Sequence, residues 1–167
     1  MEKFYLDTNL LFGYFLKKIL ERKGSYRESK VADFLIYSSK KLKYAFSILT
    51  KAEIVRKLKS EFNASRNDIE DVWKGFIIEV SPSYIQIPQS LEEIYEEIVN
   101  IVFEVPMKKR VTNLEHLIIA KKNNLIFVTG DKEIMKKCKD FYEKILDYRR
   151  LIKMYENINN LNPKKDG

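Results

Sequence analysis

The chain has 167 residues, a net charge of +7 and an apolar content of 45%, which fit one folded domain. An aromatic content of 13% excludes a disordered segment, and the positive charge fits either an anionic partner or a solubilising lysine surface. No apolar run approaches the roughly 20 residues of a membrane span, no signal peptide is evident, and the lone Cys138 fits a reducing, cytoplasmic location.

Strand and helix patterns alternate along the chain. The predicted strands are 3–6, 43–48, 125–129 and 144–146, with 83–87 as an extended segment or short strand. The predicted helices are 10–20, 28–38, 51–62, 65–80, 91–103, 113–122, 132–139 and 148–156. With no internal repeat and no linker, residues 1–156 are predicted to form a single α/β domain, and residues 157–167 a polar tail that frays.

Four predicted helix starts carry a hydroxyl residue followed three positions later by glutamate, which is the pattern of a capping box. These pairs are Ser25 with Glu28, Thr50 with Glu53, Ser90 with Glu93, and Thr112 with Glu115. The pattern gives the glutamates a structural explanation, and Asp7 and Asp131 have a similar one as N-caps of the helices that follow their strands. Taken singly, none of these carboxylates requires a chemical role.

The predicted topology brings four polar side chains to one edge of the sheet. In a parallel sheet every strand ends at the edge where the next helix begins, and ligands bind in the crevice there. Asp7 follows the first strand, Glu53 lies at the start of the helix after the second, Asn113 opens the late helix, and Asp131 follows strand 125–129. Converging carboxylates repel one another unless a cation lies between them. Because the ligands offered are oxygens, Mg²⁺ or Mn²⁺ is the predicted cofactor.

Three segments in this order resemble the PIN-domain nucleases, a family that includes the VapC-type toxins. They are Phe4–Asn9, Leu49–Ile54 and Leu125–Asp131. The resemblance implies a three-layer α/β/α fold with a mostly parallel central sheet, and metal-dependent endonucleolytic cleavage of RNA. It also implies an antitoxin protein and a second copy of the chain as partners.

The resemblance places the family's acidic quartet, as catalytic and metal-binding residues, on Asp7, Glu53, Asn113 and Asp131. The frame Asn113–Ala120 matches the family pattern, but Asn113 stands where the family usually has aspartate. An asparagine offers a metal a neutral carbonyl and removes one negative charge. The function therefore stays open between an active ribonuclease and a catalytically weakened PIN-like module that binds RNA or protein. A haloacid-dehalogenase-like phosphatase ranks last, because that chemistry needs a second aspartate where Asn9 stands.

Three residues, Asn9, Thr129 and Glu115, are expected to support the site, with Glu115 as the capping partner of Thr112. The lone histidine, His116, is interpreted as packing beside the late helix, because no other histidine accompanies it. Cys138 lies in a charged helical run and is not expected to be a nucleophile. The basic residues expected to hold the RNA backbone are Lys108, Lys109, Arg110 and Lys132, although 108–110 is equally well explained as a solvated loop.

Overall fold

The computed structural model describes residues 2–87, 90–108 and 110–161. Its strands are β1 (Lys3–Leu6), β2 (Lys43–Ser47), β3 (Ser83–Ile85), β4 (Ile126–Val128) and β5 (Ile145–Leu146). Its helices are α1 (Thr8–Arg22), α2 (Lys30–Ser38), α3 (Ile48–Phe62), α4 (Arg66–Val80), α5 (Leu91–Glu104), α6 (Val111–Lys122), α7 (Lys132–Lys137) and α8 (Tyr148–Leu161). Among these helices, none combines the length and the apolar character needed to cross a membrane.

The five strands form one sheet in the order β3-β2-β1-β4-β5, and each pair of neighbours is parallel. Strand β1 is central, with β2 on one side and β4 on the other. The chain order therefore reverses between β1 and β4, and a crevice opens at such a point beyond the carboxyl ends of the strands.

Alternate residues of each strand face opposite sides of the sheet, which produces two separate cores. Phe4 and Leu6 of β1 pack in one core with residues of α1, α2, α3, α4 and α8. Tyr5, between them, packs in the other core with residues of α5, α6 and α7. Helices thus cover both faces of a parallel sheet, and the predicted α/β/α layering is confirmed.

The sequence predicts most elements to within a few residues of their observed bounds, and the errors concentrate at helix starts. Helix α3 begins at Ile48 rather than at 51, because Ser47 at the end of β2 caps it through a reciprocal pair of bonds with Thr50. Glu53 is therefore not a capping residue, and the predicted box of Thr50 with Glu53 is wrong. At the other end of the chain, α8 continues to Leu161 instead of ending at 156. Residues 162–167 of the predicted tail lie outside the described residues.

Of the three other predicted capping residues, Ser90 is confirmed, and Ser25 and Thr112 are wrong. Ser90 accepts a bond from the backbone amide of Glu93 and caps α5 as predicted. Helix α2 is capped by Ser29 instead of Ser25. Helix α6 has Arg110 at its N-cap and no side-chain capping bond, so the predicted box of Thr112 with Glu115 is also wrong.

Candidate metal and phosphate site

A polar pocket of about 270 Å³ lies beyond the carboxyl ends of the strands, at the point where the chain order reverses. Three of the four residues predicted as the catalytic and metal-binding quartet line it: Asp7, Glu53 and Asn113. They come from the end of β1, the second turn of α3 and the first turn of α6. The predicted convergence of these residues therefore occurs, although they lie 46 to 106 positions apart in the sequence.

Asp7 is the innermost of these residues and is only 4% exposed. It caps α1, since its Oδ1 accepts from the backbone amide of Asn9 at 3.1 Å. Its Oδ2 accepts from the Thr129 hydroxyl at 2.7 Å. Thr129 is fully buried and its hydroxyl oxygen also accepts from the backbone amide of Asp131 at 3.0 Å. Thr129 thus connects the two aspartates that end β1 and β4.

Asp131 is connected to the pocket through Asn113. Its Oδ1 caps α7 by accepting from the backbone amides of Glu133 and Ile134, at 2.9 and 3.3 Å. Its Oδ2 accepts from the Asn113 side-chain amide at 2.8 Å. Asn113 therefore occupies the expected place beside Asp131, but it acts there as a hydrogen-bond donor to the carboxylate. An aspartate at position 113 would instead place a second negative charge in that contact.

Glu53 projects from α3 toward α1 and α6, and its Oε2 accepts from two side chains. The Thr8 hydroxyl donates to Oε2, and His116 Nε2 lies 2.7 Å from the same oxygen. Within the described part of the chain, Oε1 has no hydrogen-bond partner. Burial raises the pKa of Glu53, but the hydrogen bonds from His116 and Thr8 and the charge of Lys57 outweigh it and leave the pKa below its usual range. The carboxyl group is therefore ionised at neutral pH.

His116 is only 1% exposed, so it is part of the core as predicted. Its Nδ1 lies 2.8 Å from the Tyr5 hydroxyl, which also contacts the hydroxyls of Ser47 and Thr50 at 2.7 and 3.1 Å. Neither the contact of His116 with Glu53 nor the one between Thr8 and Glu53 was predicted from the sequence. The signal for His116 was its position three residues after Asn113 on α6, because residues at that spacing share a helix face.

The pocket also has a cationic side, formed by Arg56, Lys57 and Arg110. Lys57 Nζ donates to Asn9 Oδ1 at 2.6 Å, so the predicted supporting residue Asn9 holds a cation next to Asp7. Arg110 was predicted and lines the pocket, whereas Arg56 and Lys57 were missed. Their positions three and four residues after Glu53 on a helix were the signal, because residues at that spacing share a face.

The other predicted basic residues contribute less to this pocket. Lys108 and Lys132 do not line it, and the backbone amide of Lys108 donates to Glu133. Lys109 lies outside the described residues. Glu115 accepts from the Tyr95 hydroxyl of α5 and does not line the pocket, so its predicted capping role is replaced by a contact between two helices. Cys138 is buried, and burial raises its thiol pKa to about 11, which fits the prediction that it is not a nucleophile.

The side chains of the pocket that could bind a metal ion offer only oxygen atoms as ligands, from Asp7, Glu53 and Asn113. Within residues 2–87, 90–108 and 110–161, no three Asp, Glu, His or Cys side chains are grouped so that they could hold an ion. Asp7 and Glu53 nevertheless line one pocket together with the amide group of Asn113. Mg²⁺ is commonly held by one or two carboxylates with water completing its coordination. The residues present therefore suit a hydrated Mg²⁺ or Mn²⁺ ion.

Comparisons with known proteins bear on the fold. No protein-family model matches the sequence, and no curated protein matches it. Among solved structures, a chain of the crystal structure of VapBC2 from Rickettsia felis bound to a DNA fragment from their promoter has a similar fold, with a TM-score of 0.57. The match covers 87% of this chain and 96% of that chain at 14% sequence identity. Together with the parallel five-stranded sheet between helical layers, it confirms the predicted three-layer PIN-like α/β/α fold.

Proposed function

We propose that this protein is a metal-dependent endoribonuclease of the PIN type. The observation that carries the proposal is the composition of one pocket, in which the carboxylates of Asp7 and Glu53 face the cations Arg56, Lys57 and Arg110. Carboxylates suit a hard metal ion, and cations suit a phosphate backbone. Metal-dependent hydrolysis of a phosphodiester uses both kinds of group next to each other.

The side chains of the pocket have distinct roles in this reaction. Asp7 and Glu53 would hold Mg²⁺ or Mn²⁺, with Asp131 and Asn113 beside them. A bound ion of this kind supplies Lewis-acid stabilisation of the phosphate and lowers the pKa of a bound water. Glu53 Oε1, which has no hydrogen-bond partner within the described residues, is the oxygen through which Glu53 would face the ion and orient the attacking water. Arg110 and Lys57 hold the phosphates on either side of the cleaved bond.

The likeness to a chain of the VapBC2 complex supports a toxin of a toxin–antitoxin pair as the biological setting. An antitoxin protein is the partner that we propose on this basis, and a second copy of this chain is proposed from the family resemblance of the sequence alone. Neither partner is needed for the chemistry of the pocket, which depends on side chains of one chain.

Replacing Asp7 with asparagine tests the proposed activity. Asparagine is as good an N-cap as aspartate, so α1 keeps its start while the pocket loses one negative charge. We expect Asp7→Asn to lose Mn²⁺-dependent cleavage of a single-stranded RNA, and to bind Mn²⁺ more weakly in calorimetry. Asp140→Asn changes an exposed aspartate that does not line the pocket and is the matched control. Equal cleavage by Asp7→Asn and the parent would exclude the assignment.

The hydrogen bond from Asn113 to Asp131 favours one alternative, a PIN-like module that binds RNA or protein without cleaving it. In this alternative the contact between the two residues is complete without a metal ion. Restoring aspartate at position 113 separates the two functions. A silent parent and an active Asn113→Asp variant would identify the binding module, whereas an active parent would exclude it.

A further inference from the structure

A connected group of buried polar side chains lies between the pocket and the core of α5, α6 and α7. Tyr5, Ser47, Thr50 and His116 belong to it, and each is at most 1% exposed. None of them lines the pocket. Among the four, His116 alone contacts pocket-lining side chains, namely the Glu53 carboxylate at 2.7 Å and the Thr8 hydroxyl at 3.1 Å, both through Nε2. Buried hydrogen-bonding groups of this kind fix the orientation of the groups they contact.

The donor and acceptor chemistry of the group assigns a direction to its hydrogen bonds. An ionised carboxylate only accepts, so His116 Nε2, 2.7 Å from Glu53 Oε2, must carry a hydrogen. The Thr8 hydroxyl, 3.1 Å from Nε2, already donates its one hydrogen to Glu53, so toward Nε2 its oxygen can only accept. In a neutral imidazole the other nitrogen, Nδ1, then accepts, and the Tyr5 hydroxyl at 2.8 Å is the donor. Burial raises the pKa of Tyr5 to about 12, so this hydroxyl keeps its proton at neutral pH.

The oxygen of Tyr5 is in turn within reach of two hydroxyl donors, Ser47 at 2.7 Å and Thr50 at 3.1 Å. Ser47 also accepts from the backbone amide of Thr50 as the N-cap of α3. The bonds therefore run from the first turn of α3, through Tyr5 and His116, to Glu53 on the next turn of the same helix. Both ends of this path are fixed to α3, which leaves the Glu53 side chain little freedom to turn.

We propose that His116 is a positioning residue that holds Glu53 Oε2 through its Nε2–H, so that Oε1 faces the pocket, and that Tyr5 sets the imidazole tautomer. The part of this inference that concerns metal binding rests on the proposed function. Loss of a hydrogen-bonding partner behind a metal ligand typically reduces metal affinity by about 10- to 100-fold. The same loss is therefore expected when His116 can no longer donate.

The tautomer is measured directly on the metal-free protein by nitrogen-15 NMR. His116 is the only histidine of the chain, so its two ring nitrogens give the only imidazole signals. We expect hydrogen on Nε2 and a free lone pair on Nδ1. A ring with hydrogen on Nδ1, alone or together with Nε2, would overturn the assigned direction of the bonds.

The positioning role is measured by Mn²⁺ calorimetry on two replacements of similar size. His116→Gln keeps an amide donor that can reach Glu53 and should retain affinity within a few-fold of the parent, while His116→Leu should lose about 10- to 100-fold. Tyr5→Phe should also weaken binding. Tyr44→Phe removes a buried hydroxyl that bonds Ser38 in the opposite core, and it should bind like the parent. Thermal unfolding followed by circular dichroism establishes that each variant is folded.

The outcomes separate the two proposals. A parent that binds no Mn²⁺ and cleaves no RNA overturns the proposed function, and the NMR spectrum still decides the hydrogen-bond direction. A parent that binds Mn²⁺, with His116→Leu binding equally well, overturns the positioning role alone. If His116→Leu does not fold, the comparison is between His116→Gln and a folded Tyr5→Phe. Equal loss of Mn²⁺ affinity in these two variants would show that an amide donor at position 116 does not hold Glu53, and it would overturn the positioning role.

Discussion

Replacing Asn113 with aspartate converts its hydrogen bond to Asp131, the N-cap residue of α7, into a repulsion. The Asn113 amide lies 2.8 Å from Asp131 Oδ2, so the replacement puts two carboxylates against each other. Two like charges about 4 Å apart repel by about 1 kcal/mol in water and by about 4 kcal/mol at an effective dielectric constant of 20. Both residues are partly buried. We therefore expect the free energy of unfolding without metal to fall by about 1 to 4 kcal/mol.

Divalent metal should reverse this loss. A ligand that binds only the folded state at 100 times its dissociation constant stabilises that state by about 2.7 kcal/mol. Urea unfolding of Asn113→Asp in EDTA and in Mn²⁺ measures both effects, and calorimetry should show tighter Mn²⁺ binding than in the parent. Asn67→Asp makes the same change at an exposed position in the first turn of α4 and is the control. Its stability should differ between EDTA and Mn²⁺ no more than that of the parent.

Two results would refute this reasoning. If Asn113→Asp is as stable as the parent in EDTA, the two side chains do not face each other as their hydrogen bond requires. If it is destabilised equally in EDTA and in Mn²⁺, the pair does not bind the ion. RNA cleavage by the same variant then decides between the nuclease and the binding module.

Two further predictions concern the buried tyrosine and the cationic side of the pocket. The pKa of Tyr5 is raised from 10.0 to about 12, so the folded state retains a proton that the unfolded chain releases, and stability falls as pH rises between these values. At about 1.4 kcal/mol for each pH unit, the free energy of unfolding falls by about 3 kcal/mol over this range. Urea unfolding near pH 9 and near pH 11 measures this fall, and the midpoint should decrease less in Tyr5→Phe than in the parent. The control Tyr84→Phe changes an exposed tyrosine, and its midpoint should decrease with pH as much as that of the parent. If the midpoint of Tyr5→Phe also decreases as much as that of the parent, Tyr5 is not the group that causes the loss of stability. Arg110→Gln should weaken RNA binding and reduce its salt dependence by about 0.7 in the logarithmic slope for each lost single-strand phosphate contact, measured by fluorescence anisotropy. The control Lys136→Gln, at an exposed position of α7, should leave the slope unchanged. If Arg110→Gln also leaves the slope unchanged, Arg110 does not contact the RNA backbone.

The strand-ending aspartates were predictable because they depend on a few strong local patterns. Buried strands followed by aspartate at Asp7 and Asp131 require only that the sheet be parallel for both residues to reach one edge. The position of Asn113 follows from the same topology, since α6 runs back along the strand that it precedes. These predictions needed no side-chain detail, and the structure brings all three residues to the same edge.

The contacts of Glu53 with Thr8 and His116 were not predictable from local pattern, because a hydroxyl residue three positions before a glutamate occurs at helix starts and inside helices alike. Ser47 ends β2 and caps α3, and this moves the helix start upstream by one turn. Glu53 is thereby placed on the second turn, where it contacts Thr8 and His116. Those contacts join residues 45 and 63 positions apart, which no local rule connects.

The carboxylates of the site are each held by a neutral or basic partner that belongs to the fold. Thr129 donates to Asp7, Asn113 donates to Asp131, and Thr8 and His116 contact Glu53. Carboxylates brought together without such partners would destabilise the fold in the absence of a cation. An asparagine at position 113 therefore changes what the site requires, because the folded chain can assemble the pocket before any ion binds. In the proposed function a divalent ion would then serve the chemistry and not the folding, and the same pocket would stay assembled in the alternative that binds RNA or protein without cleaving it.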